Sequence, residues 1–520
     1  MKKVRGKILW ADDEIDHLRP HILFMEEKGY SITPVTNAED ALGLMHHSRF
    51  DLILLDEMMP GMDGLKALTE IKNIDPSVPV VMITKSEEEN LMNEAIGGKI
   101  EDYLTKPVNP SQIFSSCKRI LEKKSISRDK ITRDYTAEFA EIRSLLDNAL
   151  DADTWIQIHQ RLSEREIELD RHTDLGLVQT LQDQRRECNL AFCKTVEEQY
   201  ESWVNSKNRP VLSVDIVQKH IIPLLSQGDH VLLVIVDNLR LDQWLYLEPL
   251  LYDFFSVHLS HYFTILPSAT PFSRNAIFAG LFPYEIQSKL PDLWKNHEDD
   301  ESSLNRHEHS MLLAQLERYG LVLKPEPRYV KIMDAEEAKN TAKQASMFFS
   351  APLSAMVFNF VDILAHKRSD VQILKEIVPD ASAYRSLTRT WFEHSALFQI
   401  LKLAAEAGVT VVLTSDHGSI QVNRGATVFG DRETSTNIRY KYGKSIRGDN
   451  KQVMEIKNPR RCGLPAQGIN TNYLIAKEDY YFVYPTNYHK YLAMYRGSFQ
   501  HGGISLEEMV LPLVTLKKRA

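Results

Sequence analysis

Five short apolar runs, separated by amphipathic stretches, occupy residues 1–122 of the chain. The runs are KILWAD, ITPVT, FDLILLD, VPVVMIT and DYLTKP. Runs of this length are typical of buried strands, and the stretches between them have the spacing of helices. Strands that alternate with helices form a parallel sheet covered on both faces. We therefore predict a doubly wound α/β domain over residues 1–122.

The segment 123–210 differs, because its apolar residues recur at intervals of three and four, as at Ile142, Leu145 and Leu146. The stretch 111–209 holds no proline and a single glycine, and these two residue types are the usual helix breakers. We predict several helices that pack as a small bundle and end near Pro210.

Strand-like runs return between residues 211 and 520. VLLVIV, MVFNFV and VTVVLTS are almost entirely apolar, which is typical of parallel strands covered on both faces. The polar, helix-prone stretch from about 287 to 350 carries no obvious strand-end chemistry. We predict a large α/β domain over 211–520 with an inserted cap at this stretch. The whole chain is thus predicted to be an α/β multidomain protein.

Composition narrows the possible functions. The formal net charge is −9 and the charges are interspersed, which argues against a surface that coats nucleic acids or anionic membranes. No apolar run approaches the ~20 residues that span a bilayer, and the opening MKKVRGKILWADDE does not match a signal peptide. The four cysteines form no CxxC pair, so reduced thiols and a cytoplasmic location are expected.

Polar side chains lie at the ends of four predicted strands of the first domain. Asp12 and Asp13 follow the first strand, Asp56 ends the third, Thr84 the fourth and Lys106 the fifth. These ends meet at one edge of such a sheet. Clustered carboxylates there would bind Mg²⁺, which would let Asp56 attack a phosphoryl donor while Lys106 pairs with the phosphate. Each aspartate alone would be an ordinary turn or helix cap, and the complete set is the specific signal.

Carboxylates and imidazoles also follow the apolar runs of the last domain. They form two groups, Asp362 with His366 and His501, and Asp237 with Asp416 and His417. Asp362 and His366 share a face if a helix follows the strand. Ligands without thiolate suit Zn²⁺ or Mn²⁺, and a metal pair could hold the oxygens of a phosphoryl displacement. Asn238 and Arg274 are candidate contacts for substrate phosphate, with surface or packing roles as the alternative.

Thr270, in LPSATPFSRN, is the candidate nucleophile. Pro271 fits the first turn of a helix and would make Thr270 its N-cap, beside free N–H groups that attract an anion. Metal coordination would lower the pKa of the hydroxyl group. Ser268 and Ser273 are weaker alternatives, and a plain helix cap is the commoner role of such a residue.

The ordered set in residues 1–122, with MPGMDG after Asp56 and Lys-Pro after the fifth strand, resembles the receiver domain of bacterial response regulators. The resemblance implies a flavodoxin-like (βα)5 fold. The implied roles are phosphoacceptor for Asp56, magnesium ligands for Asp12 and Asp13, switch residues for Thr84 and Tyr103, and phosphate pairing for Lys106. Lys85 departs from the small residue usual at its position, which could alter access to the phosphoacceptor.

The order Asp, Thr, Asp-x-x-x-His, Asp-His, His in residues 211–520 resembles the alkaline phosphatase superfamily, and within it the PglZ domain. By that resemblance Thr270 is a bridging nucleophile. The implied zinc ligands are Asp362, His366 and His501 for one ion, and Asp237, Asp416 and His417 for the other. No expected ligand is missing, and a threonine nucleophile argues against the sulfatase branch.

The order of receiver, helical linker and PglZ domain resembles the PorX-type response regulators linked to type IX secretion in Bacteroidota. The resemblance implies phosphorylation by a sensor histidine kinase, a phosphorylation-linked homodimer and a zinc-dependent phosphodiesterase that acts on nucleotide or oligonucleotide substrates. It also implies association with an extracytoplasmic-function sigma factor, and the charge and short apolar runs predict no membrane association.

We therefore predict a response regulator whose phosphorylated receiver controls a metal-dependent phosphodiesterase. The main alternative is a receiver-controlled binding module that docks a sigma factor or transcription machinery, with a structural metal site. The intact ligand set weighs against that alternative. A phosphomonoesterase or phosphomutase on the same fold is the second alternative.

Overall fold

The structure is a computed structural model that describes residues 5–85, 100–170, 176–294, 305–430, 437–466, 468, 470–483, 492 and 494–519. The chain divides into two compact units, residues 1–137 and 138–520. The division falls within one 37-residue helix, Pro110–Leu146. The three-part division at residues 122 and 210 stays a prediction. Among the described helices, none combines the length and apolar character that crossing a membrane requires.

The first unit is a five-stranded parallel sheet with the strand order β2-β1-β3-β4-β5. Its strands are β1 (Gly6–Ala11), β2 (Tyr30–Val35), β3 (Leu52–Asp56), β4 (Val80–Thr84) and β5 (Asp102–Thr105). Its described helices are α1 (Arg19–Glu27), α2 (Ala38–Met45), α3 (Gly64–Ile74) and the start of α4 (Pro110–Leu146). Ile8 and Trp10 enter the core on one face, and Leu9 and Ala11 enter the core on the other. The predicted doubly wound fold is confirmed.

The second unit opens with the end of α4 and two further long helices, α5 (Ala152–Asp170) and α6 (Val178–Asn205). Trp155 of α5 packs against Phe192 of α6, with ring centroids 5.3 Å apart. Phe192 in turn stacks on Phe263 of the following α/β domain. The predicted helical character of this segment is confirmed, and aromatic side chains attach it to the α/β domain.

The α/β domain is built on a six-stranded sheet with the order β7-β19-β10-β6-β9-β8. The strands of this domain are β6 (Val231–Val236), β7 (Phe255–Phe263), β8 (Arg328–Ile332), β9 (Leu353–Phe358), β10 (Thr410–Thr414), β11 (Ile420–Gln421), β12 (Arg424–Phe429), β13 (Tyr440–Lys444), β14 (Arg447–Gly448), β15 (Val453–Ile456), β16 (Thr471–Ala476), β17 (Tyr480–Val483), β18 (Phe499–Gln500) and β19 (Val510–Lys518). Strands β10, β6, β9 and β8 are parallel, whereas β19 and β7 add an antiparallel edge.

Helices cover the central sheet and connect its strands. They are α7 (Ile222–Ser226), α8 (Leu241–Leu247), α9 (Thr270–Ala279), α10 (Pro283–Lys289), α11 (Glu308–Arg318), α12 (Ala335–Lys343), α13 (Ala345–Phe349), α14 (Phe360–Asp370), α15 (Gln372–Ile377), α16 (Ala381–Glu393), α17 (Ala396–Ala407) and α18 (Leu506–Met509). Leu232, Val234 and Met356 from the sheet pack with Leu401 of α17 in the largest described apolar core.

The stretch 287–350 differs from the predicted inserted cap. Its strand β8 is hydrogen-bonded to β9 in parallel, so this part belongs to the central sheet. The sequence of β8, RYVKI, is short and alternates polar with apolar residues, so it lacks the continuous apolar run that marks the inner strands. Residues 295–304 of the stretch lie outside the described residues.

Candidate functional site

The carboxyl ends of β6, β9 and β10 meet at one edge of the central sheet and carry the candidate ligands. Asp237 follows β6 directly, and Asp416 comes two residues after β10. The run MVFNFV, predicted as one strand, is divided between β9 and α14, so Asp362 lies in the first turn of α14. His366 follows one helical turn later, as its spacing requires. The end of this run differs from the prediction because its last two apolar residues belong to the helix α14 and not to the strand.

Asp362, His366 and His501 form the first group, with one ligand atom of each within 4.8 Å of the others. Nε2 of His366 lies 3.1 Å from Nε2 of His501. Oδ1 of Asp362 lies 3.4 Å and 3.7 Å from these two atoms. Burial, assisted by the neighbouring imidazole groups, lowers the pKa of His501 well below its usual value. Imidazole nitrogens that face each other beside a carboxylate match the donor set of Zn²⁺.

Asp237, Asp416 and His417 form the second group, and all three are buried. Nε2 of His417 lies 3.4 Å from Oδ1 of Asp237 and 3.8 Å from Oδ2 of Asp416. Burial, with the charge of Asp416 as a further cause, raises the pKa of Asp237 well above its usual value. Oδ2 of Asp416 is buried without a hydrogen-bond partner. A buried carboxylate oxygen in this situation is costly, and a bound cation would satisfy it.

The two groups are neighbours. The rings of His417 and His501 stack with centroids 4.1 Å apart. Asn238 connects the groups, because its side-chain Nδ2 donates to Oδ1 of Asp362 at 3.2 Å and its backbone N donates to Oδ1 of Asp416 at 3.4 Å. Its backbone is left-handed, with φ of 64°, a conformation that asparagine tolerates better than most residues. Asn238 therefore lies between the two groups and contacts both.

Thr270 lies beside the second group. Its Oγ1 is 2.8 Å from Nε2 of His417 and 3.5 Å from Oδ1 of Asp237. The predicted N-cap role is wrong by one position, because Ala269 is the N-cap and Thr270 is the first residue of α9. Ala269 has an extended backbone, and the Thr270 hydroxyl group contacts the site instead of the helix end.

The two alternative nucleophiles are buried and face other partners. The hydroxyl group of Ser268 donates to the carbonyl oxygen of Gly503 at 2.7 Å. The hydroxyl group of Ser273 accepts a hydrogen bond from Thr264 at 2.8 Å. The described contacts thus distinguish Thr270 from both serines.

Arg274 is almost completely buried beside the second group, and its guanidinium faces protein carboxylates. Nη1 lies 2.6 Å from Oδ2 of Asp237, and Nε lies 2.6 Å from Oε1 of Glu308. Burial opposes the charge, yet these carboxylates raise the pKa of Arg274 well above its usual value. Sequence reasoning missed Glu308, because it lies on α11 within the stretch that showed no strand-end chemistry.

Asp12, Asp13 and Asp56 form a third group, in the receiver-like unit, with ligand atoms within 4.8 Å of one another. Nζ of Lys106 lies 3.0 Å from both Oδ2 of Asp12 and Oδ1 of Asp56. Burial is the largest cause that raises the pKa of Asp56 to about 6, although the hydrogen bond from Lys106 lowers it. A carboxylate cluster at a sheet edge fits Mg²⁺, which takes few protein ligands.

The predicted switch residues lie on the last two strands of the first sheet, Thr84 on β4 and Tyr103 on β5. The hydroxyl group of Thr84 donates to the carboxylate of Glu57. Tyr103, on β5, is 39% exposed. Nζ of Lys85 lies 4.0 Å from Oε2 of Glu14, and both side chains are exposed.

A buried ion-pair network connects the long helices with the segments that follow the candidate ligands. Arg385 pairs with Asp242 at 2.7 Å and with Glu166 of α5 at 3.0 Å. Arg185 of α6 pairs with Glu166 at 3.0 Å and with Glu507 at 3.1 Å. Asp242 comes five residues after Asp237, and Glu507 comes six residues after His501. The network therefore attaches α5 and α6 to the loops that carry the site.

Three family models match the chain. The receiver domain of response regulators matches residues 8–118, and the PorX response regulator linker domain matches residues 125–204. The BREX system PglZ alkaline phosphatase-like domain matches residues 216–516.

Individual relatives match the receiver portion. The chain is 32% identical over 119 residues to the transcriptional regulatory protein ResD of Bacillus subtilis, which covers 23% of this chain and 49% of ResD. It is 30% identical over 161 residues to the transcriptional regulatory protein ZraR of Klebsiella oxytoca, covering 29% of this chain and 36% of ZraR. The chain thus spans half or less of these curated relatives. The crystal structure of a two-component response regulator from Clostridium difficile is 32% identical, with a TM-score of 0.22, covering 23% of this chain and 97% of that chain.

The receiver fold and the alkaline phosphatase-like domain together define a response regulator with a hydrolase-type output domain. The chain belongs to the family of the PglZ alkaline phosphatase-like domain, in the receiver, linker and PglZ arrangement of the PorX-type response regulators. Alkaline phosphatase-like and receiver domains usually bind metals, and a receiver implies phosphorylation by a histidine kinase.

Proposed function

We propose that the chain is a phosphorylation-controlled, zinc-dependent phosphodiesterase that acts on nucleotide or oligonucleotide substrates. The observation that carries the proposal is the position of Thr270, whose Oγ1 lies 2.8 Å from Nε2 of His417. A hydroxyl group beside two clusters of carboxylate and imidazole groups is the arrangement that phosphoryl transfer to a side chain needs.

Each proposed zinc ion has its own ligand group. In this proposal the ligands are Asp362, His366 and His501 for one ion, and Asp237, Asp416 and His417 for the other. When bound, the two cations lower the pKa of a nearby hydroxyl group and stabilise charge on the attacking and leaving oxygens. Arg274 supports this site indirectly, since it holds the oxygen of Asp237 that faces away from Thr270.

Thr270 performs the chemical step. Its Oγ1 attacks phosphorus of the diester, loses its proton, and displaces one alcohol, which leaves a phosphoryl ester on Thr270. Water then attacks the same phosphorus and releases the product monoester from the threonine. Asn238 contacts both ligand groups and is positioned to orient a phosphate oxygen between them.

The receiver supplies the control. In this proposal Asp56 accepts the phosphoryl group from a sensor histidine kinase, Mg²⁺ binds at Asp12, Asp13 and Asp56, and Lys106 pairs with the phosphate. Thr84 and Tyr103 are the switch residues, and phosphorylation promotes a homodimer. Control of type IX secretion and association with an extracytoplasmic-function sigma factor are proposed from the arrangement of the three domains.

The test is hydrolysis of bis(p-nitrophenyl) phosphate by the zinc-loaded full chain. Thr270→Val should lower kcat by about 10³-fold or more, because the nucleophile is lost, and it should keep the zinc content. Ser273→Ala, on the same helix, is the matched control and should keep the activity. Full metal-dependent activity of Thr270→Val would contradict the assignment of the nucleophile. Comparison with p-nitrophenyl phosphate separates the diesterase from a monoesterase.

A further inference from the structure

Lys331 lies on the edge strand β8, on the same face of the central sheet as a residue of the candidate metal centre. Lys331 is level with Val357 of β9, and Val357 is level with Ile235 of β6. Side chains at the same level of neighbouring strands point to the same face of a sheet. Asp237 comes two residues after Ile235, and its backbone N still bonds to the end of β9. Lys331 and Asp237 therefore share one face of the sheet.

The neighbours of Lys331 along β8 support this orientation. Val330 and Ile332 pack into the apolar core on the opposite face. Tyr329, two residues before Lys331 and so on the same face, donates its hydroxyl group to Glu308. Glu308 is the residue that pairs with the site arginine. Alternation along the strand thus places the side chain of Lys331 on the face of the sheet that also carries Tyr329.

The positive charge of Lys331 is not paired with a carboxylate among the described residues. Its ammonium group forms no hydrogen bond or ion pair with the described residues, and the side chain is half-buried. Burial lowers the pKa of Lys331, as does the charge of Arg274, while nearby Asp237 and Asp416 act in the opposite direction. Arg274, by contrast, is engaged by Asp237 and Glu308.

We propose that the ammonium group of Lys331 binds a phosphate oxygen of the substrate. The proposal deepens the proposed phosphodiesterase function and rests on it. Lysine offers a mobile point charge with three donors, which suits a phosphate whose other oxygens face the two ligand groups. The inner strands supply metal ligands and the edge strand supplies the cation, so the four parallel strands together form the phosphate site.

Two substitutions of Lys331 test the proposal in the zinc-loaded full chain. Lys331→Met removes the charge with little change in length, and Lys331→Arg keeps it. Lys339→Met, on the helix after β8, removes an exposed lysine and is the matched control. The measurements are KM and kcat with bis(p-nitrophenyl) phosphate, and binding of inorganic phosphate by titration calorimetry.

Lys331→Met should raise both KM and the Kd of inorganic phosphate by about tenfold, the usual effect of a lost charged hydrogen bond. Lys331→Arg should restore at least part of the affinity, and Lys339→Met should match the wild type. Unchanged KM and phosphate affinity in Lys331→Met would overturn the proposal. If the wild type hydrolyses no diester, the phosphodiesterase function fails, and the phosphate titration still decides the role of Lys331.

Discussion

Nε2 of His366 lies 3.1 Å from Nε2 of His501, although the two residues are 135 positions apart. Burial lowers the pKa of His501, so the cationic, doubly protonated form of that ring is disfavoured. With Asp362 beside both nitrogens, the arrangement favours a bound cation over a hydrogen bond between the rings.

Removal of metal should destabilise the α/β domain. Chelation leaves the buried carboxylates of Asp237 and Asp416 without their cation, so we expect the free energy of unfolding to fall by about 3 kcal/mol or more. Asp237→Asn should have opposite effects on the Tm of the metal-free chain and of the zinc-loaded chain, since burial raises the pKa of Asp237 and disfavours its charge. It should raise Tm in the metal-free chain and lower Tm in the zinc-loaded chain. Identical melting curves with and without EDTA would contradict this account.

The charge of Asp56 should reduce stability at high pH when Mg²⁺ is absent. Its pKa in the fold is about 6 against a reference value of 3.8. Because the folded value is the higher one, its stabilising contribution is complete below pH 3.8 and is lost as the pH rises through 6. After a discount for solvent screening, the difference corresponds to about 1 to 2 kcal/mol at alkaline pH.

Asp56→Asn should therefore unfold at a higher temperature than the wild type at pH 8 in EDTA. This advantage should shrink as the pH falls toward 4, and Mg²⁺ should reverse it by stabilising only the wild type. Thermal unfolding of the full chain at several pH values measures the effect. An advantage that grows as the pH falls would refute the assignment of a raised pKa.

The buried Arg385, between α5 and the α/β domain, should contribute more to stability than the half-buried Arg389. Arg385→Met removes a buried cation that pairs with both Asp242 and Glu166, and the loss of one member of a buried ion pair costs about 3 kcal/mol. Arg389→Met, one turn further along the same helix, breaks a more exposed pair with Glu393 and should cost about 1 kcal/mol or less. Urea unfolding of both variants compares them directly, and equal costs would argue against a buried network.

Phosphorylation should change the oligomeric state. Beryllofluoride with Mg²⁺ mimics a phosphoryl group on Asp56, and we expect it to raise the dimer fraction, because the receiver then favours its second state. Light scattering after size-exclusion chromatography measures the molar mass. Asp56→Ala should show no response, and an unchanged mass of the treated wild type would count against the phosphorylation-linked dimer.

The inner strands were predictable, and the edge strand was not. VLLVIV is apolar at every position because helices cover both faces of β6, and this pattern also located Asp237. Strand β8 lies at the edge of the sheet and has one neighbouring strand only. Its sequence RYVKI alternates polar with apolar residues, so its periodicity did not distinguish it from a loop or helix. Lys331 was missed for this reason, and Glu308 was missed because it lies on α11 in the same stretch of the chain.

Local geometry at the site was the other gap. Proline at the second position of α9 is compatible with two helix starts, and the sequence favoured the one that made Thr270 the N-cap. The contact between Thr270 and His417 decides the start, and it joins residues 147 positions apart. Such long-range contacts leave no signal in the local sequence. The types of the ligand residues, by contrast, did leave a signal there.

The number of zinc ions bound by the purified full chain tests the central claim most directly. After saturation with Zn²⁺ and gel filtration, elemental analysis should give about two ions per chain for the wild type and for Thr270→Val, one for each ligand group. His366→Ala should retain about one ion, since it breaks only the first group. Less than one ion per chain in the wild type would contradict the account.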